Sequence, residues 1–274
     1  MPASAIALAV AAAFLHAFWN LVVARARDPE AATALAFVVA LVAYAPVAAA
    51  TWRIETRALP YVAATSCLHL CYASLLAAAY RRAELSVVYP VSRGTAPVLV
   101  LVVGVAVLGA ETSPGQVLGV CLVAAGILLV RGIREAAHPR GVVFGLVIGG
   151  LIAAYTLNDS YGVRHAAPFA YLEIGMLAPA LAYSGALTRL RGLGALRAEL
   201  TWATVAAGVA TFGSYGLVLA ALQYAPAASV AAIREVSIVI AAALAALVLG
   251  ENVGALRLLG AILVVGGVAF ISIS

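Results

Sequence analysis

The chain consists almost entirely of apolar runs, each long enough to cross a lipid bilayer as a helix. A membrane helix needs about 20 predominantly apolar residues, and short connections with turn residues separate such runs along all 274 residues. Ten runs occur, at about 3–24, 31–50, 60–80, 85–109, 114–131, 141–160, 168–188, 201–222, 227–249 and 254–273. This pattern predicts an all-α integral membrane protein with ten transmembrane helices and no soluble domain.

The composition excludes several classes of protein. Hydrophobic residues make up 65% of the chain and charged residues 10%, whereas a soluble domain has about 25% charged residues. The positive charge comes from arginines spread over short connections, which is typical of membrane topology and not of nucleic-acid binding. A chain without lysine also lacks the phosphate-binding loop of an ATPase. The histidines and cysteines are scattered, so we expect no metal, no cofactor and no catalytic site.

The second half of the chain repeats the first. A shift of 141 positions places Arg93 on Arg234, Gly119 on Gly260 and Gly126 on Gly267. Each half holds five predicted spans, an odd number, so the halves must cross the membrane in opposite senses. Residues 1–135 and 141–274 are therefore predicted to be two inverted five-helix repeats, a plan that places a transporter's site near the membrane midplane at the repeat interface. The fused repeat is an internal pair, which favours a monomer over a dimer.

Several short motifs support a resemblance to a known family. They are the Trp19-Asn20 end of the first run, the turns Gly109-Ala-Glu111 and Gly250-Glu251, and the glycine-rich fifth and tenth runs. In this order the chain resembles the EamA-type transporters of the drug/metabolite transporter superfamily, over essentially its whole length. The resemblance implies transport of small metabolites across the cell membrane, typically a bacterial inner membrane, through a cavity lined mainly by spans 1, 3, 4, 6, 8 and 9. It does not fix the substrate.

Polar side chains share faces of the spans that the resemblance turns inward. They are His16 and Asn20 in the first span, Thr65, His69 and Tyr72 in the third, Tyr155, Asn158 and Asp159 in the sixth, and Thr204, Thr211 and Tyr215 in the eighth. Each alone could form an interhelical hydrogen bond of about 0.6 kcal/mol. Together they predict a polar lumen.

The fourth span carries a charge between prolines. Tyr89, Pro90, Arg93 and Pro97 share one face of a helix, and Arg93 lies about eight residues inside the span, roughly 12 Å at 1.5 Å per residue. Each proline removes a helical N–H donor. We expect a broken, flexible segment beside a cavity with Tyr89 and Arg93 at the substrate; a kinked packing helix with a snorkelling arginine is the alternative.

The ionisable residues inside the spans allow two interpretations. In one, Arg93 and Arg234 are neutralised by Glu235 and Glu173 in a structural network. In the other, a guanidinium binds an anionic group of the substrate. Arg234 and Glu235 are about 100° apart on a helix, so we expect them on different faces. Proton coupling is expected through Glu173, Glu235, His16 or His69.

The sequence thus predicts a secondary transporter, expected to be an exporter, of amino-acid-like or anionic metabolites that works by alternating access. The alternative is a multidrug exporter of lipophilic compounds, which requires a carboxylate without a cationic partner in the lumen. Orientation has two conflicting predictions. Odd-numbered connections hold ten arginines and even-numbered ones three, which places both termini outside by the positive-inside rule, whereas the resemblance implies both termini inside.

Overall fold

The computed structural model of the protein describes residues 1–83, 85–131, 139–249 and 254–274. In these ranges every regular element is a helix, apart from a single bridge between Ile54 and Ala166. The α-helices are α1 (Ala3–Ala24), α2 (Pro29–Ala50), α3 (Leu59–Arg82), α4 (Leu85–Ala106), α5 (Pro114–Arg131), α6 (Pro139–Gly162), α7 (Pro168–Arg191), α8 (Leu193–Ala198), α9 (Trp202–Leu222), α10 (Ala227–Arg234), α11 (Val236–Leu249) and α12 (Ala255–Ile273). The predicted all-α class is confirmed.

The helices correspond to the predicted spans with two differences. Within the described ranges, seven helices are long and apolar enough to cross a membrane, namely α1, α2, α3, α4, α6, α9 and α12, and α5 is a shorter apolar helix. Helix α7 has the length of a span, with 24 residues, but polar residues and prolines interrupt its apolar character. The predicted ninth span consists of two helices, α10 and α11. Length and composition therefore support a multi-pass membrane protein but not a count of ten.

Prolines and capping residues determine where several helices begin. Helix α2 starts at a proline. The missing N–H costs no hydrogen bond there, because N–H groups in the first turn of a helix have no partner within the helix. The side chain of the preceding Asp28 accepts a hydrogen bond from the Ala31 amide at 3.2 Å. Helix α9 starts in the same way, since Thr201 Oγ1 accepts from the Thr204 amide at 3.2 Å. Such N-caps stabilise a helix start by about 1 kcal/mol.

The two halves interleave instead of packing as separate domains. The main contacts join helices from opposite halves: α5 with α12, α4 with α6, α1 with α9, α2 with α7 and α9, and α3 with α6 and α7. If each helix is replaced by its repeat-related counterpart in the other half, most of these pairs become another pair of the same set or remain the same pair. Each repeat therefore completes its core with the other, as expected when a repeat cannot bury its own interior faces.

Glycines bring α5 and α12 into close contact. A Cβ built on Gly119 would lie 2.6 Å from the carbonyl oxygen of Gly267, and one on Gly126 would lie 2.6 Å from that of Gly260. Small residues permit such an approach of helix backbones in a membrane. Because residue numbers rise along α5 while they fall along α12, these two repeat-related helices are antiparallel.

The position of the helix break differs from the prediction. Pro90 and Pro97 lie inside α4, which is one helix from Leu85 to Ala106, so the expectation of a broken fourth span is wrong. The interruption occurs instead at Glu235, between α10 and α11, where φ is −70° and ψ is −7°. A proline's fixed φ of about −65° is compatible with a helix although its N–H is lost. The predicted turn at Gly250-Glu251 lies outside the described residues.

Apolar and charged residues are distributed as in a protein that faces lipid. Large hydrophobic side chains such as Val42, Leu256 and Ile262 are exposed on the outside of the bundle. Arg93, Asp159, Arg234 and Glu235 are buried within it. Since buried charge is costly unless it is paired or functional, the four residues mark the candidate site.

Candidate functional site

Two arginines from repeat-related positions meet on one carboxylate. Arg93 Nη1 on α4 lies 3.2 Å from Glu235 Oε1, and Arg234 Nη2 at the end of α10 lies 3.4 Å from the same oxygen. Glu235 is 0% exposed. The prediction that Arg234 and Glu235 lie on different faces is wrong as far as contact is concerned, because the ends of these two long side chains meet although their backbone positions are helical. We call Arg93, Arg234, Glu235 and His16 the arginine cluster.

His16 on α1 contacts Arg93 and completes the arginine cluster. Its Nε2 lies 2.9 Å from Arg93 Nη2, while the Trp19 indole N–H donates to its Nδ1 at 3.3 Å. Arginine and indole groups are always donors, whereas a neutral imidazole accepts at only one nitrogen. His16 can therefore accept from Arg93 or from Trp19, but not from both at once. Asn20 donates to the His16 carbonyl at 2.7 Å.

The arginine cluster has unused hydrogen-bonding capacity. Arg234 Nε and Glu235 Oε2 are buried and have no hydrogen-bond partner among the described residues. Most buried polar groups are paired, so an unpaired donor and an unpaired acceptor in one cluster require an explanation. A ligand that carries both an anionic and a cationic group would satisfy both atoms. Arg93 also lies over the Tyr89 ring, with its Cζ 5.4 Å from the ring centroid.

A second buried group surrounds Asp159, one turn from the end of α6. Tyr171 donates to Asp159 Oδ1 at 2.8 Å, and the hydroxyls of Thr65 and Tyr215 donate to its two carboxylate oxygens. Asn158 donates to Thr65 Oγ1 and to the Tyr61 carbonyl, at 2.8 Å in both cases. Asp159 is 0% exposed and forms no ion pair with any described residue. We call Asp159, Thr65, Tyr171 and Tyr215 the aspartate cluster.

Aromatic rings connect the aspartate cluster with α4. His69 stacks on Tyr155 with 4.4 Å between ring centroids, and its Nδ1 lies 3.0 Å from the Thr65 carbonyl. The Tyr72 and Tyr215 rings lie 6.2 and 6.0 Å from Tyr155 in edge-to-face geometry. The same tyrosines pack with the α4 side chains on either side of Arg93. A continuous aromatic layer thus extends from Asp159 towards the helix that carries Arg93.

The predicted site residues divide between these two places. The arginine cluster and its neighbours contain His16, Asn20, Tyr89, Arg93, Arg234 and Glu235, whereas the aspartate cluster and its neighbours contain His69, Tyr72, Asn158 and Tyr215. Glu173 belongs to neither, because in the described part of the chain it forms no ion pair and its Oε2 is buried without a partner. The predicted neutralisation of an arginine by Glu173 is therefore wrong.

The sequence does not indicate that Asp159 and Tyr171 form the centre of a polar cluster. The sequence places Asp159 only along the end of the sixth span, and it assigns no role to Tyr171. The available signal was the spacing of four residues between Tyr155 and Asp159, which places both on one helix face. In the described ranges no group of three or more His, Cys, Asp or Glu side chains could hold a metal ion.

A cleft opens at one end of the bundle between α4, α6 and α10. Its lining includes Val100 and Gly104 of α4, Ser160 of α6, Arg164 in the connection after α6, and Ser229 of α10. Val100 lies seven residues after Arg93, two turns along the same face of α4. Leu157, which precedes Asp159, lines the cleft as well. Neither the arginines of the arginine cluster nor Asp159 lines this cleft.

Ion pairs and backbone hydrogen bonds join α2 and α7 at both ends. At one end Arg191 donates to Asp28 at 2.6 Å and also to Glu30, and the Asp28 amide donates to Glu199 at 3.0 Å. Burial alone would raise the pKa of Asp28, but the Arg191 guanidinium and the Ala31 amide lower it below its ordinary value. At the other end the bridge between Ile54 and Ala166 joins the connections.

Comparisons with known proteins agree with this architecture. No curated protein matches the chain. A solved structure described only as the crystal structure of a protein superposes with a TM-score of 0.78, covers 100% of this chain and 98% of its own, and is 16% identical; at that identity the likeness concerns the fold alone. The sequence profile of the EamA-like transporter family matches residues 3–132 and again residues 139–273. The chain therefore belongs to the EamA-like transporter family, membrane transporters of the drug/metabolite transporter superfamily.

Proposed function

We propose that this transporter exports small amino-acid-like metabolites across the cell membrane by alternating access. The observation that supports this proposal is the arginine cluster. Arg93 and Arg234 share one oxygen of Glu235, while a buried donor and a buried acceptor have no partner among the described residues. Charges at this depth usually pair with one another or mark a substrate pathway, and here the pairing is incomplete. The direction of transport rests on the family resemblance.

The chemistry of the cluster matches a zwitterion. A substrate carboxylate would take hydrogen bonds from Arg93 and from Arg234 Nε–H, since guanidinium groups hold carboxylates in a planar fork. A substrate ammonium would donate to Glu235 Oε2. Arg93 can turn from His16 to the substrate at little cost, because His16 would then accept from Trp19 alone. A purely anionic substrate would satisfy the donors but would leave Glu235 Oε2 unpaired.

Alternating access is supported by the relation between the halves. Helices α5 and α12, which the repeat relates, are antiparallel, as an inverted repeat requires. We therefore propose ten spans in two inverted repeats, with α10 and α11 together as the ninth span and α7 as the seventh. In such folds the site lies between the repeats and each repeat rocks against the other. Arg93 and Arg234 are contributed by opposite halves and would move apart in such a motion.

One observation favours a second candidate, the export of lipophilic cations. That function requires a carboxylate without a cationic partner, and Asp159 forms no ion pair with any described residue while tyrosine rings and His69 lie around it. Aromatic rings and a carboxylate together attract organic cations. Asp159 is fully buried behind hydroxyl groups, however, and therefore offers less to a bulky cation than the arginine cluster offers to a zwitterion.

Counterflow into vesicles that contain the purified protein tests the proposal. The matched probes are an α-amino acid, its amide without the carboxylate charge, and the corresponding 2-hydroxy acid without the ammonium group. We expect exchange of the amino acid and at least a tenfold weaker exchange of both analogues. Exchange of the amide and inhibition by tetraphenylphosphonium would instead establish the lipophilic-cation function. Equal exchange of the amino acid and the hydroxy acid would show that Glu235 does not bind the ammonium group of the substrate.

A further inference from the structure

We infer that Asp159 is a reversible proton-binding site, and that it supplies the proton that couples transport to a pH gradient. The coupling role rests on the proposed transport function, whereas proton binding does not. The expected carriers were Glu173, Glu235, His16 and His69. The contacts of Asp159 favour it over Glu173, Glu235 and His69.

The first argument is that the groups around Asp159 can satisfy it with or without a proton. Its partners on three other helices are the hydroxyls of Thr65, Tyr171 and Tyr215. A hydroxyl can both donate and accept. All three donate to the carboxylate, and after proton uptake one of them can rotate and accept from the new carboxylic O–H. One proton from the aqueous phase adds to one carboxylate oxygen, and its later return to water restores the carboxylate.

The second argument is that the other buried acids are less suited to this change. Two guanidinium groups hold Glu235. Arginine donates but never accepts, so protonation of Glu235 would leave two cations without their counter-charge. Glu173 has no ion pair and no hydroxyl partner among the described residues, so no hydrogen bond links it to the rings that pack beside Arg93. Protonation of Asp159 strands no charge, because no described cation pairs with it.

The third argument concerns the charged and titratable groups on every helix packed against Asp159. Helix α3 presents His69, α7 presents Tyr171, α9 presents Tyr215, α4 carries Tyr89 and Arg93, and α10 carries Arg234. Of these, only histidine changes charge near neutral pH by its ordinary chemistry. His69 bonds to the Thr65 carbonyl and stacks on Tyr155. It therefore lies beside the aspartate cluster but forms no hydrogen bond with the carboxylate.

The fourth argument is connection to the substrate site. Leu157 and Ser160, which flank Asn158 and Asp159 in α6, line the cleft, whereas Asp159 itself does not. Tyr215 contacts Asp159 with its hydroxyl and Tyr155 with its ring, and these rings pack on α4 beside Arg93. A movement of α4 that opens the arginine cluster would disturb the hydroxyl that stabilises the carboxylate. Substrate binding and proton release are coupled by this contact.

Infrared difference spectroscopy of the full-length protein in lipid tests proton binding without any substrate. On acidification we expect the carbonyl stretch of a buried carboxylic acid in the parent and in Glu111→Gln, a control on the exposed α4–α5 connection. Asp159→Asn should lose this band, whereas Glu173→Gln and Glu235→Gln should keep it. Tyr215→Phe should keep the band but shift its frequency, because one hydrogen bond to the carboxyl group is removed.

Two results would overturn the inference. One is a band that persists in Asp159→Asn, or that disappears in Glu173→Gln or in Glu235→Gln while that variant is folded. The other, should Asp159→Asn fail to fold, is an unchanged frequency in Tyr215→Phe. Coupling is then measured as the ratio of amino-acid uptake with and without a pH gradient. We expect a ratio above one in the parent and a ratio of one in Asp159→Asn; a gradient effect retained by Asp159→Asn would contradict the coupling role. If the parent moves no amino acid, the proposed substrate is wrong while the spectra still decide proton binding.

Discussion

Arg93 contacts three partners, namely Glu235, His16 and the Tyr89 ring, and one of these contacts is in competition with Trp19. Replacement by lysine keeps the charge but removes the planar fork. We expect Arg93→Lys to fold normally, because a lysine can still reach Glu235, and to bind substrate roughly tenfold to 100-fold more weakly. That range corresponds to one lost charge-assisted hydrogen bond of about 1.5–3 kcal/mol.

The measurement is the concentration dependence of amino-acid counterflow. Arg57→Lys is the matched control, because Arg57 is exposed in the connection before α3. Wild-type affinity in Arg93→Lys would assign the arginine to the scaffold and would direct the search for the substrate site to Asn20, Tyr89 and Tyr215.

Arg234 and Glu235 have different expected costs of removal. Arg234→Ala leaves Glu235 with Arg93 as its partner, so we expect a loss of about 1.5–3 kcal/mol, one charged hydrogen bond. Glu235→Gln leaves two buried cations without their anion, and we expect about 3–5 kcal/mol, as for a broken buried ion pair. Thermal unfolding in detergent compares the two variants. Equal losses, or a larger loss in Arg234→Ala, would mean that Glu235 is not the shared centre of the cluster.

At the scale of single residues, the sequence predicted which side chains matter better than it predicted which of them meet. The 141-residue shift identified Arg93 and Arg234 as a pair, and both contact Glu235. Helical spacing could not place Arg234 against Glu235, because that contact depends on how the ends of two long side chains turn and not on the positions of their backbones. The sequence also does not predict the cluster around Asp159. Its partners Thr65, Tyr171 and Tyr215 come from three different helices, and they meet only when these helices pack.

At the scale of helices, the contact between α5 and α12 depends on glycine at four positions. A Cβ on Gly267 would lie 2.6 Å from the Gly119 carbonyl oxygen, whereas no atom of the described residues lies within 4 Å of a Cβ on the neighbouring Gly266. We expect Gly267→Ala to cost about 1–3 kcal/mol through overpacking against a backbone atom that cannot move aside. Gly266→Ala should be neutral or stabilising by up to about 1 kcal/mol, since alanine favours a helix.

Thermal unfolding in detergent distinguishes these variants, which differ by one position on the same helix. Similar unfolding temperatures for both would show that α5 and α12 can separate freely. In that case the close crossing would not be what holds the two halves together.

The Arg191 pair that joins α7 to α2 should give the protein a pH-dependent stability. The pKa of Asp28 is lowered in the folded protein. Its contribution is therefore complete above the ordinary aspartate pKa of about 3.9 and is lost as the pH falls through the lower folded-state value. Asp28→Asn keeps a capping side chain but removes the charge. We expect a slightly lower unfolding temperature at neutral pH and a flatter acid dependence, and a dependence as steep as the parent's would exclude Asp28 as its source.

The sequence predicts where helices occur better than it predicts where a helix is interrupted. Apolar length alone located every long helix, because a membrane span must be apolar over about 20 residues. Pro90 and Pro97 nevertheless do not interrupt α4, while Glu235 interrupts the ninth span without a proline or glycine beside it. The reason lies outside the local sequence: Glu235 turns towards Arg93 on α4, a residue 142 positions away.

At the scale of the whole molecule, the halves are related by the repeat but depend on each other. The helix pairs with the most extensive contacts join one half to the other, so residues 1–135 and 141–274 describe a repeat and not two independent folding units. An inverted pair places Arg93 and Arg234 at mirrored positions about eight residues from the starts of their spans. Two such arginines reach one carboxylate only when both halves are present, so the candidate site belongs to the assembled bundle and to neither repeat alone.

Ten spans require both termini on the same side of the membrane, and the contacts between connections agree with this path. With ten spans, even-numbered connections lie on the side of the termini and odd-numbered ones on the other. Ile54 and Ala166, in the second and sixth connections, form a bridge. Gln223, in the eighth, donates to the Val163 carbonyl at the end of α6 at 2.8 Å. Arg191 and Asp28 join the seventh and first. Gly115 at the start of α5 lies beside the terminal Ser274.

We therefore expect reporter fusions at Met1 and at Ser274 to give the same compartment signal, and a fusion in the connection at Arg191 to give the opposite one. A reporter active only in the cytoplasm and one active only outside it would be compared at each position. The Arg191 fusion also decides orientation, since the arginine distribution places that connection in the cytoplasm and the family resemblance places it outside. Opposite signals at Met1 and Ser274 would contradict the ten-span path, because an odd number of crossings cannot divide into two equal inverted halves.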